Sequence, residues 1–290
     1  MLFPNMFVSG LISWLAVASA WAADSPSPPR PAPPPATVPD LATVRPVVIC
    51  GDCDQPFFSG TIHKLMLDKL VANEYIGELR KALYLQDTVH QFESKAHFDN
   101  CDFDNAINYI DELLKEVGTH VQAAQSARDS GDKVAQKAGA SRAFFALGQA
   151  LHGVQDFYAH TNYVEMMVGG VKRTTDIPVI LPWTSAGKEA IRQQQASGKL
   201  VSGYVFWGIP QNCPRGTPSH ADLAKDDAES KSGMIRIAHL QNRSQHQVAV
   251  QLAREASQEL VDHAFAKWPL LKELNGKLVA VEVLVDRRKP

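Results

Sequence analysis

Leu147-Gly-Gln-Ala-Leu-His152-Gly-Val-Gln-Asp156-Phe-Tyr-Ala-His160-Thr-Asn-Tyr-Val-Glu165 contains no proline and carries His152, Asp156 and His160 at two successive spacings of four. The run reads as an α-helix. Four residues turn a helix by about 400°, so each of these side chains lags the one before by only about 40°. They form one stripe about 12 Å long, too long for all three to reach a single ion. Imidazole and carboxylate donors on one face suit a divalent ion such as zinc. The spacing therefore predicts two ions with Asp156 as the bridge, one ion shared with His152 and one with His160. A single i,i+4 His–Asp pair is more often a plain hydrogen bond. Three groups in register beside Phe157 and Tyr158, inside an otherwise apolar helix, favour metal.

Working outward, this helix is expected to run from Lys133 to about Met167, with Phe144, Phe145, Leu147 and Leu151 on its apolar face. Gly131 marks the turn before it and Gly169-Gly170 the break after it. Upstream, apolar residues at helical spacing predict three further helices. One starts at Thr61 (Ile62, Leu65, Leu67, Leu70, Val71) and one at about Asn73 (Ile76, Leu79, Leu83, Val89, Phe92). The third starts between Asp102 and Asn105 (Ile107, Ile110, Leu113, Leu114, Val117). Residues 171 to 219 are irregular, with Ala186 to Ser197 as the helical part, and so long a connection is usually functional. Within it, Ser202-Gly-Tyr-Val-Phe-Trp207 reads either as an exposed aromatic lining for a cleft or as packing over the core. Ile235 to Trp268 reads as the last long helix, and Leu278 to Val285 as a short strand or docked extension. The sum is an all-α, multi-helix bundle.

Ligand-type residues recur at or near these helices. His63 lies in the first turn of the first helix. His97 and Asp99, with Asp102 and Asp104 nearby, precede the third, where Asn and Asp also suit helix capping. His220 and Asp226 follow the irregular stretch. His239, His246 and His263 sit on the last helix, and of these His246 is a further candidate ligand. Helices presenting His and carboxylate groups inward describe a metal cluster in a bundle core. Burying them without metal would cost several kcal/mol each. Asp99 is the candidate to orient or deprotonate a water molecule.

The chain has 290 residues, and the first 23 contain no charged residue. Phe7 to Ala20 is apolar but too short for a comfortable membrane span. It ends in Ala18-Ser19-Ala20 and Ala20-Trp21-Ala22, so residues 1–23 read as a secretory signal peptide and the protein as exported, periplasmic or secreted. No Lys or Arg precedes the apolar run, which keeps a retained N-terminal anchor as the alternative. Residues 24–46 hold nine of the 18 prolines and read as an extended linker. Residues 47–290 are expected to form one domain. Four cysteines in an exported chain suit disulfides: Cys50–Cys53, or one of these with Cys101 or Cys213. A net charge of −2 gives no electrostatic footprint for nucleic acid. There is no Gly-x-Ser-x-Gly elbow, Walker loop or dinucleotide fingerprint.

Leu151-His152-Gly-Val-Gln-Asp156-Phe-Tyr-Ala-His160-Thr-Asn162-Tyr-Val-Glu165 resembles the signature of the Het-C family, related to the heterokaryon-incompatibility protein of filamentous fungi. Gly60-Thr-Ile-His63, His97-Phe-Asp99-Asn100 and the region from Ser202-Gly-Tyr to His220-x5-Asp226 resemble it in the same order. Het-C proteins are in turn similar to zinc-dependent phospholipases C and single-strand nucleases, all-α proteins with a trinuclear zinc cluster. The resemblance implies that His152, Asp156 and His160 correspond to that superfamily's H-x3-D-x5-H run, although the second spacing here is three. The superfamily's later H-x3-E pair has no counterpart, since Ala224 follows His220 at that spacing, and its N-terminal Trp ligand has none except Trp21. Two or three zinc ions are thus expected. The resemblance implies phospholipase C-type cleavage of a phosphodiester in a membrane phospholipid. The alternative is a Het-C-like membrane-damaging cell-death effector or toxin whose metals are structural. A purely structural metal-binding bundle is the third reading.

Overall fold

The structure, a computed structural model, describes residues 60–67, 69–71, 74–205 and 212–275. All belong to the unit Pro46–Pro290. The expected signal peptide, linker and C-terminal tail lie outside the described residues, as do Trp21, Cys50, Cys53, Phe206 and Trp207. In chain order the helices are α1 (Gly60–Met66), α2 (Ile76–Thr88), α3 (Ser94–His97), α4 (Phe103–Asp129), α5 (Lys133–His160), α6 (Tyr163–Val168), α7 (Ser185–Ala196), α8 (His220–Leu223), α9 (Gln245–Lys267) and α10 (Pro269–Asn275). A two-stranded antiparallel ribbon, β1 (Arg236–Ile237) and β2 (Arg243–Ser244), precedes α9. The expected all-α architecture holds. Among the described residues no helix is long and apolar enough to cross a membrane.

Helix α5 is the axis. Its C-terminal half, from Leu147 to His160, is buried almost without interruption, and a helix buried all round must be covered on every side. Helices α4, α2 and α9 supply that cover. Gly131, at φ 79°, turns the chain from α4 into α5, and the Asp132 carboxylate caps the new helix by accepting from Ala135 N. At Gly148 a Cβ would lie 2.7 Å from Ala82 Cβ and 2.9 Å from Leu79 Cα. That absent atom lets α2 come close enough to place Asp87 beside His152, one turn further along α5.

The helix expected to reach Met167 stops at His160. Thr161 is extended (φ −102°, ψ 163°). Its hydroxyl donates to Phe157 O at 2.6 Å and accepts from Tyr163 N at 3.2 Å, so a side chain competes for the backbone groups that would have continued the helix. The last helix likewise begins ten residues after Ile235, at Gln245. Gln241 and Asn242 are both left-handed (φ 57°) and turn the chain between the two short strands. A capping box between Ser244 and Gln247 then starts α9. Helix α2 begins at Ile76 rather than Asn73, and α3 had no sequence signal strong enough to separate it from a loop.

Among the described residues a disulfide pairs Cys101 with Cys213, across 112 residues, so neither joins Cys50 or Cys53. It ties the start of α4 to the irregular connection leading to α8. Closing so long a loop destabilises the unfolded chain by about 5 kcal/mol on the chain-entropy account.

Candidate metal centre

Three donor atoms meet beside the C-terminal half of α5. His152 Nε2 and His97 Nδ1 lie 2.8 and 2.9 Å from Asp156 Oδ2, and 3.1 Å from each other. His63 Nε2 approaches the other carboxylate oxygen, Asp156 Oδ1, at 3.3 Å, and Asp87 Oδ1 approaches His152 Nε2 at 3.4 Å. Donors bound tetrahedrally at about 2.0–2.1 Å sit about 3.3 Å apart, so these edges are close to those of a metal's ligand set.

A second group lies at the C-terminal end of α5. His160 Nε2 is 3.0 Å from Asp226 Oδ1, and His220 Nδ1 is 2.9 Å from Asp99 Oδ1. Asp99 Oδ1 also faces His160 Nδ1 at 3.5 Å, and His220 Nε2 faces Asp226 Oδ2 at 3.5 Å. All eight ligand-type residues expected from the sequence thus fall into two adjacent groups. The bridge expected from Asp156 to His160 is not what forms. The Asp156 carboxylate faces His63, His97 and His152, while His160 turns its Nε2 to Asp226. His97 joins the groups instead, because its backbone oxygen accepts from His160 Nδ1 at 2.8 Å.

Three of the histidines have one nitrogen held by a group that only accepts. His97 Nε2 donates to His90 O at 3.3 Å, and His160 Nδ1 to His97 O. His63 Nδ1 donates to Gln155 Oε1 at 2.6 Å. That last orientation is set by a chain: Gln155 Nε2 donates to Ser257 Oγ, which donates to Ala253 O. In each neutral ring the other nitrogen is then a lone pair aimed at a carboxylate: His97 Nδ1 and His63 Nε2 at Asp156, His160 Nε2 at Asp226. Lone pairs facing carboxylates repel unless a cation or proton lies between them. An outer N–H anchored to a carbonyl is also how metal-ligating histidines are oriented. His152 Nδ1 and Asp156 Oδ1 are buried without a hydrogen-bond partner, and so is Asp87 Oδ2. Such atoms carry a desolvation cost that an ion would remove. These buried groups could hold a metal ion.

The charges are strongly coupled. Burial disfavours the Asp156 carboxylate, but His152, His160 and His63 hold it well below the usual range. Burial also depresses His152 and His160, yet Asp156 with Asp87 raises the first, and Asp156, Asp99 and Asp226 raise the second well above normal. His220, similarly opposed by burial, is raised to about 9 chiefly by Asp99. His63 is lowered, by burial first and His152 second.

The backbone is bent to make this arrangement. Phe98, Asn100 and Cys101 all adopt left-handed conformations (φ 55°, 58° and 54°), which cost of order 1 kcal/mol or more each for non-glycine residues. The kinked loop sends His97 to the first group and Asp99, two residues on, to the second. Residues 202–205 lie across it. Gly203 N donates to His160 O, Asn100 N to Gly203 O, and His220 N to Tyr204 O. Ser202 and Val205 are buried and Tyr204 is exposed, so the described residues of this stretch pack as a strap while their one aromatic ring stays at the surface. At Gly203 a Cβ would lie 2.5 Å from His220 Cα. Gly203→Ala is therefore expected to displace His220 and to cost about 1–3 kcal/mol of stability. Thermal melts check this, and an unchanged melting temperature would show that His220 is not held by the strap.

Several contributors escaped the sequence reading. Asp87 occupies the position after Leu79 and Leu83 on the i,i+4 stripe of α2, so a carboxylate on a buried stripe was the available signal. Lys225 is fully buried. Its Nζ donates to Thr161 O, Leu223 O and Glu165 Oε1, and its N–H to Ala159 O at 3.0 Å. These bonds fasten the segment bearing Asp226 to the end of α5. Burial lowers the lysine pKa, opposed by Glu165. His246 is not among the converging donors: its Nδ1 donates to Lys225 O at 2.8 Å. Asp102 makes no helix-capping bond and Asp104 pairs with Arg192 at 2.7 Å. In comparisons with protein-family models, curated proteins and solved structures, nothing matches this chain.

Proposed function

We propose that this chain is a zinc-dependent phosphodiester hydrolase that cleaves phospholipids on the diacylglycerol side of the phosphate. The observation that carries the reading is the convergence of His97 Nδ1, His152 Nε2 and Asp156 Oδ2 within 3.1 Å, with the far nitrogen of His97 tied to a carbonyl. His63, His97, His152 and Asp156, with Asp87, would hold one ion, and Asp99, His160, His220 and Asp226 a second. Bound there, zinc supplies Lewis-acid stabilisation of phosphate charge and makes water acidic enough to attack at neutral pH. Asp226 fixes the His160 ring, and Asp99 fixes His220 and is the proposed acceptor of the water's proton. The net charge of −2 disfavours a nucleic acid as substrate. Leu65 and Val89, two residues beyond His63 and Asp87, are exposed apolar side chains that suit approach to a lipid surface.

The test is phospholipid cleavage by the purified full chain, loaded with zinc, beside His152→Ala. Diacylglycerol release by the wild type that disappears in the variant is the expected result. No cleavage by zinc-loaded protein, or equal cleavage by both, would defeat the proposal. Liposome leakage that persists after chelation, with intact lipid, would move the reading to a membrane-damaging effector.

A further inference from the structure

A neutral histidine ring carries one proton, and His63 has two places for it. On Nδ1 the proton is donated to Gln155 Oε1 at 2.6 Å. On Nε2 it would point at Asp156 Oδ1, 3.3 Å away. The second arrangement pairs an N–H with a carboxylate, the stronger kind of acceptor. It would also cover the nitrogen that an ion shared with Asp156 needs. The choice of nitrogen therefore decides whether His63 can serve as a ligand.

The deciding contact comes from α9. Ser257 is fully buried, and beyond the first turn it is the one polar residue among that helix's buried side chains. A serine hydroxyl has a single proton to give. Ala253 O, one turn back along α9, takes it at 2.7 Å. Ser257 Oγ can then only accept, and it accepts from Gln155 Nε2 at 3.0 Å. An amide with its nitrogen turned to Ser257 has its oxygen turned to His63. The reversed amide would set N–H groups against the ring and ask Ser257 for a proton already given to Ala253. Gln155 is itself fully buried, and α5 packs on α9 along this seam. Two aliphatic side chains would fill the seam with no amide or hydroxyl to satisfy, so packing alone does not call for the pair. We infer that Ser257 is a positioning residue: through Gln155 it holds the ring proton of His63 on Nδ1 and leaves Nε2 as the donor atom facing Asp156. The ring is thereby set for an ion before one arrives, as outer partners set metal-ligating histidines generally. The consequence for ion binding rests on the proposed zinc function, whereas the place of the proton does not.

Two measurements on the full chain separate these parts. Nitrogen-15 NMR of the histidine rings reads which nitrogen carries the proton. It is done on chelated protein at about pH 8, above the ordinary histidine range, with His63→Gln identifying the signal. Wild type should show the proton on Nδ1. Ser257→Ala should show it on Nε2, because the released amide can turn over and Asp156 then competes for the N–H. A proton on Nε2 in wild type, or on Nδ1 in folded Ser257→Ala, would overturn the inference. If Ser257→Ala does not fold, Gln155→Leu takes its place with the same two outcomes, since it removes the acceptor itself. Zinc titration of the same proteins should show about tenfold weaker binding of one ion in the variant, the lower end of what outer partners of metal ligands contribute. Equal affinity beside a moved proton would overturn the positioning role. A wild type that binds no zinc defeats the hydrolase reading, and the NMR comparison still decides where Ser257 places the proton.

Discussion

On the proposed hydrolase function, Asp156→Ala protein is expected to purify with one zinc fewer per chain than wild type and to lose more than about a hundredfold in phosphodiesterase activity. Removing groups that merely orient metal ligands costs about 10–100-fold, and Asp156 is placed as a ligand itself. Its Oδ2 faces His97 and His152, and its Oδ1 lies 3.3 Å from His63 Nε2. Without it, three buried imidazoles from three helices face one another with only Asp87, 3.4 Å from His152, left to offset them. The metal-free variant should therefore also lose about 3–5 kcal/mol of stability, the usual result of orphaning buried charge. Asp226→Ala should affect the other group: His160 and His220 lose a shared carboxylate while the Asp156 trio stays intact. Elemental analysis of both variants separates two groups from one. If Asp156→Ala retains the wild-type zinc count, the Asp156 trio does not bind metal.

The stripe on α5 was legible because i,i+4 spacing is local physics. His152, Asp156 and His160 had to share a face wherever the helix went. The spacing could not say what each side chain would meet. Asp156 bonds no His160 because His97, arriving from 59 residues earlier, takes its Oδ2. His160 is also the last residue of its helix, where the chain turns toward the Asp226 segment. Thr161 ended the helix through a side-chain bond that apolar periodicity does not register. The kinked loop at Phe98, Asn100 and Cys101 was equally hidden, since none of these is the glycine that announces a left-handed backbone. Asp87 was lost for a different reason: a charged residue on a short amphipathic helix is read as solvent-facing unless its neighbours at four-residue spacing are followed through. His246 failed as a ligand because nearness in sequence to Asp226 says nothing about which way a ring points.

Chelation is expected to lower the melting temperature by about 10 °C near neutral pH, and by more as the solution becomes alkaline. An ion present at about a thousand times its dissociation constant stabilises by about 4 kcal/mol, and each kcal/mol moves the midpoint of a domain this size by about 2–4 °C. The pH dependence follows from the ionised groups. His160 and His220 have raised pKa values in the metal-free fold, His220 to about 9. A raised value contributes stability that is complete below the unfolded value of about 6.5 and lost as pH climbs through the folded one. Asp156 and Asp226 are depressed, so their contribution is complete above about 3.9 and lost in stronger acid. The metal-free protein should therefore weaken from about pH 6.5 towards pH 9 and again in strong acid, while His63, lowered by burial, works against stability below about pH 6.5. A zinc ion held there would reverse the trend, because it needs the imidazoles without their protons and displaces them on binding. The gap between loaded and chelated protein should thus widen from about pH 6 to about pH 9. Scanning calorimetry with and without chelator measures it directly. A gap that is constant across that range would mean that ion binding displaces no histidine protons, and the two groups would then be salt-bridge networks rather than ligand sets.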